Sequence, residues 1–183
     1  MWWIIVLVVV VLLVLYVIGA YNGLVRGRNQ VDNAWSQIDV QLKRRIDLIP
    51  NLVETVKGYA EHEKSTLEAV VNARNAAIAA PSTPAGQAAA DTQITAALRQ
   101  LFALSEAYPD LKANQNFLAL QEELTATEGR VSYARQFYND SVLGYNNKLQ
   151  TFPTVVLAGM FNFQKRDFFE ADVTDRQVPK VQF

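Results

Sequence analysis

Hydrophobic and polar positions divide the chain into blocks of different period. Trp2 to Tyr21 is apolar throughout, dominated by Val, Leu and Ile, and the first charged side chain is Arg26. About twenty helical residues cover roughly 30 Å, the thickness of a bilayer core. The block therefore predicts a transmembrane helix, with Trp2 and Trp3 at one end and Tyr16 and Tyr21 towards the other as interfacial aromatics. A signal peptide would need a basic start, a shorter apolar core and a small-x-small cleavage site. No basic residue precedes this core and it is too long, so a retained anchor is the expectation.

From Val31 the apolar positions step by threes and fours: Val31, Trp35, Ile38, Leu42, Ile46, Ile49, Val53, Val56. That is one face of a helix, with Asp32, Asp39, Lys43, Glu54 and Lys57 opposite. Gly58 is expected to loosen this helix without ending it, the pattern resuming at Leu67, Val70 and Val71. Pro81 to Gly86 reads as a loop. A helix from about Gln87 to Ala107 follows, then a break at Tyr108-Pro109-Asp110, then the most regular stripe of the chain, Phe117 to Leu149, from about Asn114 to Gln150. The fold class expected is all-α: an N-terminal transmembrane helix, then an antiparallel bundle of three to four long helices. Residues 1–28 would be anchor and juncture, 29–152 the bundle, and 153–183 an apolar segment with an extended tail.

PTVVLAGMFNF, Pro153 to Phe163, is too short to cross a membrane. Its side chains Val155, Val156, Leu157, Met160, Phe161 and Phe163, with Phe168 and Phe169 beyond, either fold back on the bundle or form an interfacial or inter-subunit surface. The alternation of Val178 to Phe183 suits an extended segment.

KRRIDLIPNLVETV, Lys43 to Val56, places Pro50 inside an in-phase apolar stripe. Proline in a helix interior costs about 3 kcal/mol and frees a carbonyl four residues back. Two local structures fit: a break before Pro50, which would make Ile49 a poor cap, or a continuous helix with a kink. The kept phase favours the kink. Arg45 and Asn51 lie close enough in sequence to satisfy freed groups, and Asp47 and Asn51 can bond side by side. Arg44, Arg45, Asp47, Pro50 and Asn51 thus form a candidate structural motif. The bend either wraps the helix around its own bundle or sets the angle of the domain in an assembly.

Gly19, Gly23 and Gly27 recur every fourth residue where the anchor leaves the membrane. Small-xxx-small spacing lets helix backbones approach closely in lipid; the alternative is a loosened juncture. Farther on, Asn139, Asn146 and Asn147 flank the last stripe and suggest side-chain bonding across the bundle, and Arg130 and Arg135 are candidates to pair with Asp39 or Asp47.

Composition removes chemistry more than it adds any. The 183 residues include no cysteine, so disulfides, thiolate nucleophiles and Cys-based zinc sites are out. Net charge is −1 and the longest basic block is Lys43-Arg44-Arg45, so no nucleic-acid partner is expected. His62 is the single histidine, between Glu61 and Glu63, with side chains that diverge on a helix. Glu122 and Glu123 are adjacent and do not face each other. No phosphate loop or nucleophile elbow is present. Catalysis is not expected, nor any cofactor or metal. With no Lys or Arg before the anchor and Arg26 and Arg28 after it, the positive-inside rule places the bulk of the chain in the cytoplasm.

Arg44 to Glu63, RRIDLIPNLVETVKGYAEHE, resembles the hallmark of the LemA family of bacterial membrane proteins. VDNAWSQIDVQ before it, ATEGRVSYARQFYNDSVLGYNNKLQTFP (Ala126 to Pro153) and the closing PKVQF extend the likeness. Ile46 stands where similar proteins can carry a polar residue or histidine. The resemblance implies an anchored helical bundle and supplies no reaction. The family includes proteins implicated in shaping bacterial internal membranes such as magnetosomes. It also includes lipoprotein-like forms with a cysteine near the position of Ala20, which would place the domain outside the cytoplasm; both placements stay open. The expected function is a non-enzymatic, self-associating scaffold on the lipid bilayer, a homo-oligomer. The rival is an adaptor that binds another membrane protein in envelope stress or signalling.

Overall fold

The computed structural model describes residues 1–170. Six helices appear in the order α1 (Trp2–Lys57), α2 (Lys64–Ala79), α3 (Pro84–Ser105), α4 (Pro109–Lys112), α5 (Gln115–Gln150) and α6 (Thr154–Met160), and no strand occurs among the described residues. The all-α expectation holds. α1 runs unbroken through Pro50, so the alternative of a helix break is overturned. Ile49 is a core residue of that helix and not its cap, while Pro50 faces solvent.

Gly58 does end α1, against expectation. The main-chain N–H groups of Tyr59 and Ala60 both bond back to the carbonyl of Val56, which closes the helix. Glycine weakens helix continuation by about 1 kcal/mol. The turn also brings Ala60 into the core and lets the Tyr59 hydroxyl accept a 2.9 Å bond from Asn114 Nδ2. α3 starts where the sequence places a cap: Thr83 Oγ1 accepts from the Gly86 N–H, with Pro84 in the first turn.

The described chain forms two compact units, residues 1–37 with 136–168, and residues 38–135 with 169–170. In the second, α2 and α3 pack as a helical hairpin. Its core is aliphatic and alanine-rich, built on Ile49, Leu52, Val56, Val70, Ile94, Leu98, Leu101, Leu111 and Leu124, with Phe117 as its buried ring. Small alanines at 73, 77, 90 and 97 let the helices of this core approach closely.

In the first unit the two long helices run antiparallel. Gly27 of α1 meets Tyr145 of α5, and Trp35 of α1 stacks 5.5 Å from Tyr138 of α5. Rising numbers on one helix face falling numbers on the other. Towards its start α1 loses all cover: the side chains of Trp2 to Leu15 are exposed. Among the described residues α1 is the one helix long and apolar enough to cross a membrane.

α6 ends in a complete Schellman motif. Asn162 takes the left-handed conformation, φ 56°, which asparagine tolerates better than most side chains. The N–H of Phe163 reaches the carbonyl of Ala158 and that of Asn162 reaches Gly159, so two terminal carbonyls are satisfied. The chain then continues without regular secondary structure to residue 170. The expectation of an extended Val178 to Phe183 falls outside the described residues.

Candidate functional site

Arg44 and Arg45 are neighbours in sequence and diverge in space, since successive helical residues point about 100° apart. Arg45 is 2% exposed. Its Nη1 donates to Asp91 Oδ1 at 2.7 Å and to Thr95 Oγ1 at 3.0 Å, joining α1 to α3. Its Nη2 lies 3.9 Å from Glu128 Oε2 on α5, and Arg135 of the same helix approaches Asp91 Oδ2 at 3.6 Å. Three helices therefore meet on one ion cluster. Arg44 stays at the surface and binds Glu123 of α5 at 2.6 Å.

Asp91 is 5% exposed and takes a share of two guanidinium charges. A buried charge is tolerable only when paired and hydrogen-bonded. The pairing here is nearly complete: Arg45 Nε has no hydrogen-bond partner. A pocket of about 190 Å³ opens beside Arg45, lined also by Thr95, Arg99, Phe102, Thr125 and Glu128. Leu98 and Leu124 add apolar surface to its lining. No histidine or cysteine lines it; of its two hydroxyls, Thr95 accepts from Arg45 and Thr125 donates to the Gln121 carbonyl. Among the described residues no group of three or more His, Cys, Asp or Glu side chains is placed to hold a metal ion.

The rest of the sequence motif lies elsewhere. Asp47, Pro50 and Asn51 are all exposed. Arg45 does not serve the carbonyl freed by Pro50, because Asp91 holds it across the core. The Asn51 carbonyl accepts from Thr55 Oγ1 one turn later. Arg135 pairs with Asp91 and Arg130 with Glu123, not with Asp39 or Asp47. His62 is exposed. Nearby, Tyr108 donates to Glu63 at 2.9 Å, and this bond to the carboxylate raises the phenol's pKa.

In the unit of residues 1–37 and 136–168 a different arrangement marks the end of the apolar block. Tyr21 takes two aromatic neighbours edge-on, Phe161 at 4.9 Å and Phe163 at 5.7 Å between ring centres. The Arg28 guanidinium sits 5.6 Å from the Phe163 ring centre, within cation–π range. Of the glycines, Gly27 lies against Tyr145, where a Cβ would come within 3.1 Å of the ring. Gly19 and Gly23 have nothing within 4 Å. The close approach suggested by the glycine spacing is thus made at Gly27 within the chain.

The non-helical segment after α6 is pinned by α5. Asn146 spans the main chain of Arg166, its Nδ2 donating to the carbonyl at 2.8 Å and its Oδ1 accepting from the N–H at 3.0 Å. The Tyr138 hydroxyl donates to the carbonyl of Asp167 at 2.8 Å, and Arg166 Nη2 binds Asp32 Oδ1 at 2.8 Å. Burial raises the pKa of Tyr138, opposed in part by Arg166, and burial does the same for Tyr145. Of the candidate surface residues, Leu157 and Phe169 are buried, Phe169 beneath the Arg135 guanidinium at 4.9 Å. Phe163 is half-buried, while Val155, Val156, Met160, Phe161 and Phe168 are exposed.

The sequence profile of the LemA family matches residues 34–183, which include every member of the ion cluster. The chain belongs to the LemA family. It is 26% identical to Protein LemA of Metamycoplasma hominis over 87% of this chain and 73% of that one. It is 23% identical to Magnetosome protein MamQ 2 of Paramagnetospirillum magneticum and 24% identical to Magnetosome protein MamQ of Magnetospirillum gryphiswaldense. These matches cover 82% and 81% of this chain and 64% of each relative, so the chain spans somewhat less than two thirds of the magnetosome proteins' length.

For this LemA chain, sequence reasoning singled out Arg45 and missed its partner. Asp91 is the sole acidic residue of α3 and stands on the stripe Asp91, Ile94, Leu98, Leu101. An acid at a core position was the available signal. Asn146 was noticed as a bonding residue, but its target, the main chain of Arg166, lies twenty residues on and carries no sequence mark.

Proposed function

We infer that this LemA-family protein is a single-pass, membrane-anchored helical scaffold that self-associates, with the bulk of the chain on the cytoplasmic side. The observation that carries the reading is the continuity of α1 from Trp2 to Lys57. No Gly/Ser- or Pro-rich linker separates the apolar block from the bundle helix. A tethered adaptor is served by such a linker, which lets the module search for its partner. A helix that runs from lipid into the bundle couples the anchor to the domain, as an assembly on a membrane requires. The open faces at Gly19 and Gly23 leave the anchor free to meet a second anchor closely. The magnetosome relatives support a role at membranes.

The pocket beside Arg45 favours a second reading, an adaptor that receives a side chain of another membrane protein there. Electron microscopy of the full-length protein reconstituted in lipid separates the two. Ordered assemblies or bent membrane, lost when Gly19 and Gly23 are both replaced by Ile, support the scaffold. Single particles on flat membrane overturn it. Arg26 and Arg28 set the expected side, and protease protection of the bundle inside sealed cells checks it.

A further inference from the structure

We propose that α6 and its flanks form a second membrane contact, lying in the lipid interface beside the exit of the anchor. The proposal rests on the reading of Trp2 to Tyr21 as a span.

The first observation is depth. Tyr21 precedes the first charge, Arg26, by five residues, about 7.5 Å along the helix axis at 1.5 Å per residue. The headgroup layer on each side of a bilayer is about 5–7 Å thick. A span that begins at Trp2 therefore puts Tyr21 at the boundary of the hydrocarbon core and Arg26 at its wet edge. Phe161 is held 4.9 Å from Tyr21, so the end of α6 is fixed at that boundary.

The second observation is polarity. α6 turns Leu157 and Ala158 inward and leaves Val155, Val156 and Met160 outward, continued by Phe152 and Phe161. Phe152 is 82% exposed and Met160 73%. Large side chains of this kind, contiguous on one short stretch, are a poor fit to water. No charged residue occurs between Lys148 and Lys165.

The third is the charge around the patch. Lys148 precedes the stretch and Lys165 and Arg166 follow it in the chain, ahead of the acid Asp167; Arg28 sits over the Phe163 ring, and Asp32, the first acid along α1, holds Arg166. An apolar stretch flanked by cations on both sides in the chain suits a bilayer surface that carries anionic lipids. Continuity with the span argues for lipid as the occupant rather than a second protein. The Schellman end of α6 and the Asn146 and Tyr138 bonds to the following segment hold the patch in place without using any of its outward side chains.

The absence of cysteine makes the test direct. Met160→Cys, Val9→Cys and Tyr133→Cys, each in the full-length chain, are labelled with the environment-sensitive dye NBD. The proteins are reconstituted in vesicles of phosphatidylcholine with phosphatidylglycerol, with or without doxyl-labelled lipids. Label at Met160→Cys is expected to emit further to the blue than at Tyr133→Cys and to be quenched best by shallow doxyl groups. Val9→Cys should be quenched best by deep ones. Blue-shifted emission at Met160→Cys without lipid quenching would show a protein contact and overturn the proposal. So would emission like that of Tyr133→Cys while Val9→Cys is still quenched, which leaves the span intact. Loss of quenching at both Val9→Cys and Met160→Cys sinks the span and the proposal together.

Discussion

In residues 38–135 the buried polar side chains include a charged pair that face each other, Arg45 on Asp91 with Arg135 and Glu128 at the rim, while the neutral Thr127 and Ser105 bond carbonyls of their own helices. In the unit of residues 1–37 and 136–168, buried polar side chains are neutral and face the main chain, Asn146 on Arg166 and Tyr138 on Asp167. The difference follows from what each must hold. Helices satisfy their own backbone, so packed helices need only a register, and a buried ion pair supplies one because misalignment strands a charge. The segment after α6 is non-helical and pairs with no strand among the described residues, so its N–H and C=O groups have to find side chains. Charge pairing therefore specifies how helices meet, and amide and hydroxyl bonds fix where a non-helical segment lies.

This comparison is sharpest at Asp91. Asp91→Ala leaves Arg45 buried without its carboxylate and is expected to cost about 3–5 kcal/mol. Denaturant unfolding in mild detergent reads it. If the cluster serves register rather than stability, the double change Arg45→Met, Asp91→Leu should recover most of that loss. Failure of the double change to do better than Asp91→Ala would show that the ion pair stabilises outright.

Asn146→Ala breaks the other half. It leaves the Arg166 N–H and C=O without partners, at a cost of about 1–3 kcal/mol. Amide exchange should speed up at residues 163–168 and leave the ion-cluster helices of residues 38–135 unchanged. Equal acceleration in both would erase the distinction between the two units. Gly27→Leu should cost a similar amount, roughly 1–3 kcal/mol, by overpacking against Tyr145. Gly23→Leu, with open space around it, should leave folding unchanged. Equal effects of the two would mean that the Gly27 contact is not tight.

Tyr138→Phe removes one hydrogen bond and is expected to cost about 0.5–1.5 kcal/mol. Burial raises the Tyr138 pKa above its ordinary 10.0. The folded chain then keeps a proton that the unfolded chain releases. The corresponding stability is fully present below about pH 10 and is lost as pH rises through the folded value. Unfolding curves from pH 9 to 11 should show that decline, reduced in Tyr138→Phe. The smallest effects are expected at Asp47→Asn and Asn51→Ala. Both side chains are exposed, and changes within about 0.5 kcal/mol fit such positions.

Legibility in the sequence varied with the kind of interaction. The stripe of α5 placed its helix to within a residue of the structure, because one-sided burial repeats every turn. The kept phase of the stripe pointed to a continuous helix kinked at Pro50, and the continuity is what α1 shows. The failures concern partners. Arg45 was given a local role near Pro50, and Arg130 and Arg135 were offered Asp39 or Asp47. Local candidates look sufficient when only spacing along one helix is considered. Gly58 was misjudged for a related reason: whether a glycine ends a helix depends on what the turn beyond it can bury, here Ala60.

The sequence by itself determined the apolar N-terminal block, the helices and their buried faces, and the family. All of these follow from periodicity and motif, which are properties of neighbouring residues. Tertiary structure alone decided that Asp91 completes Arg45, that Asn146 grips Arg166, that Tyr145 fills the space at Gly27, and that α6 sits at Tyr21. Each of these joins residues far apart in the chain. The energy of such a contact depends on distance and burial, which no local pattern records.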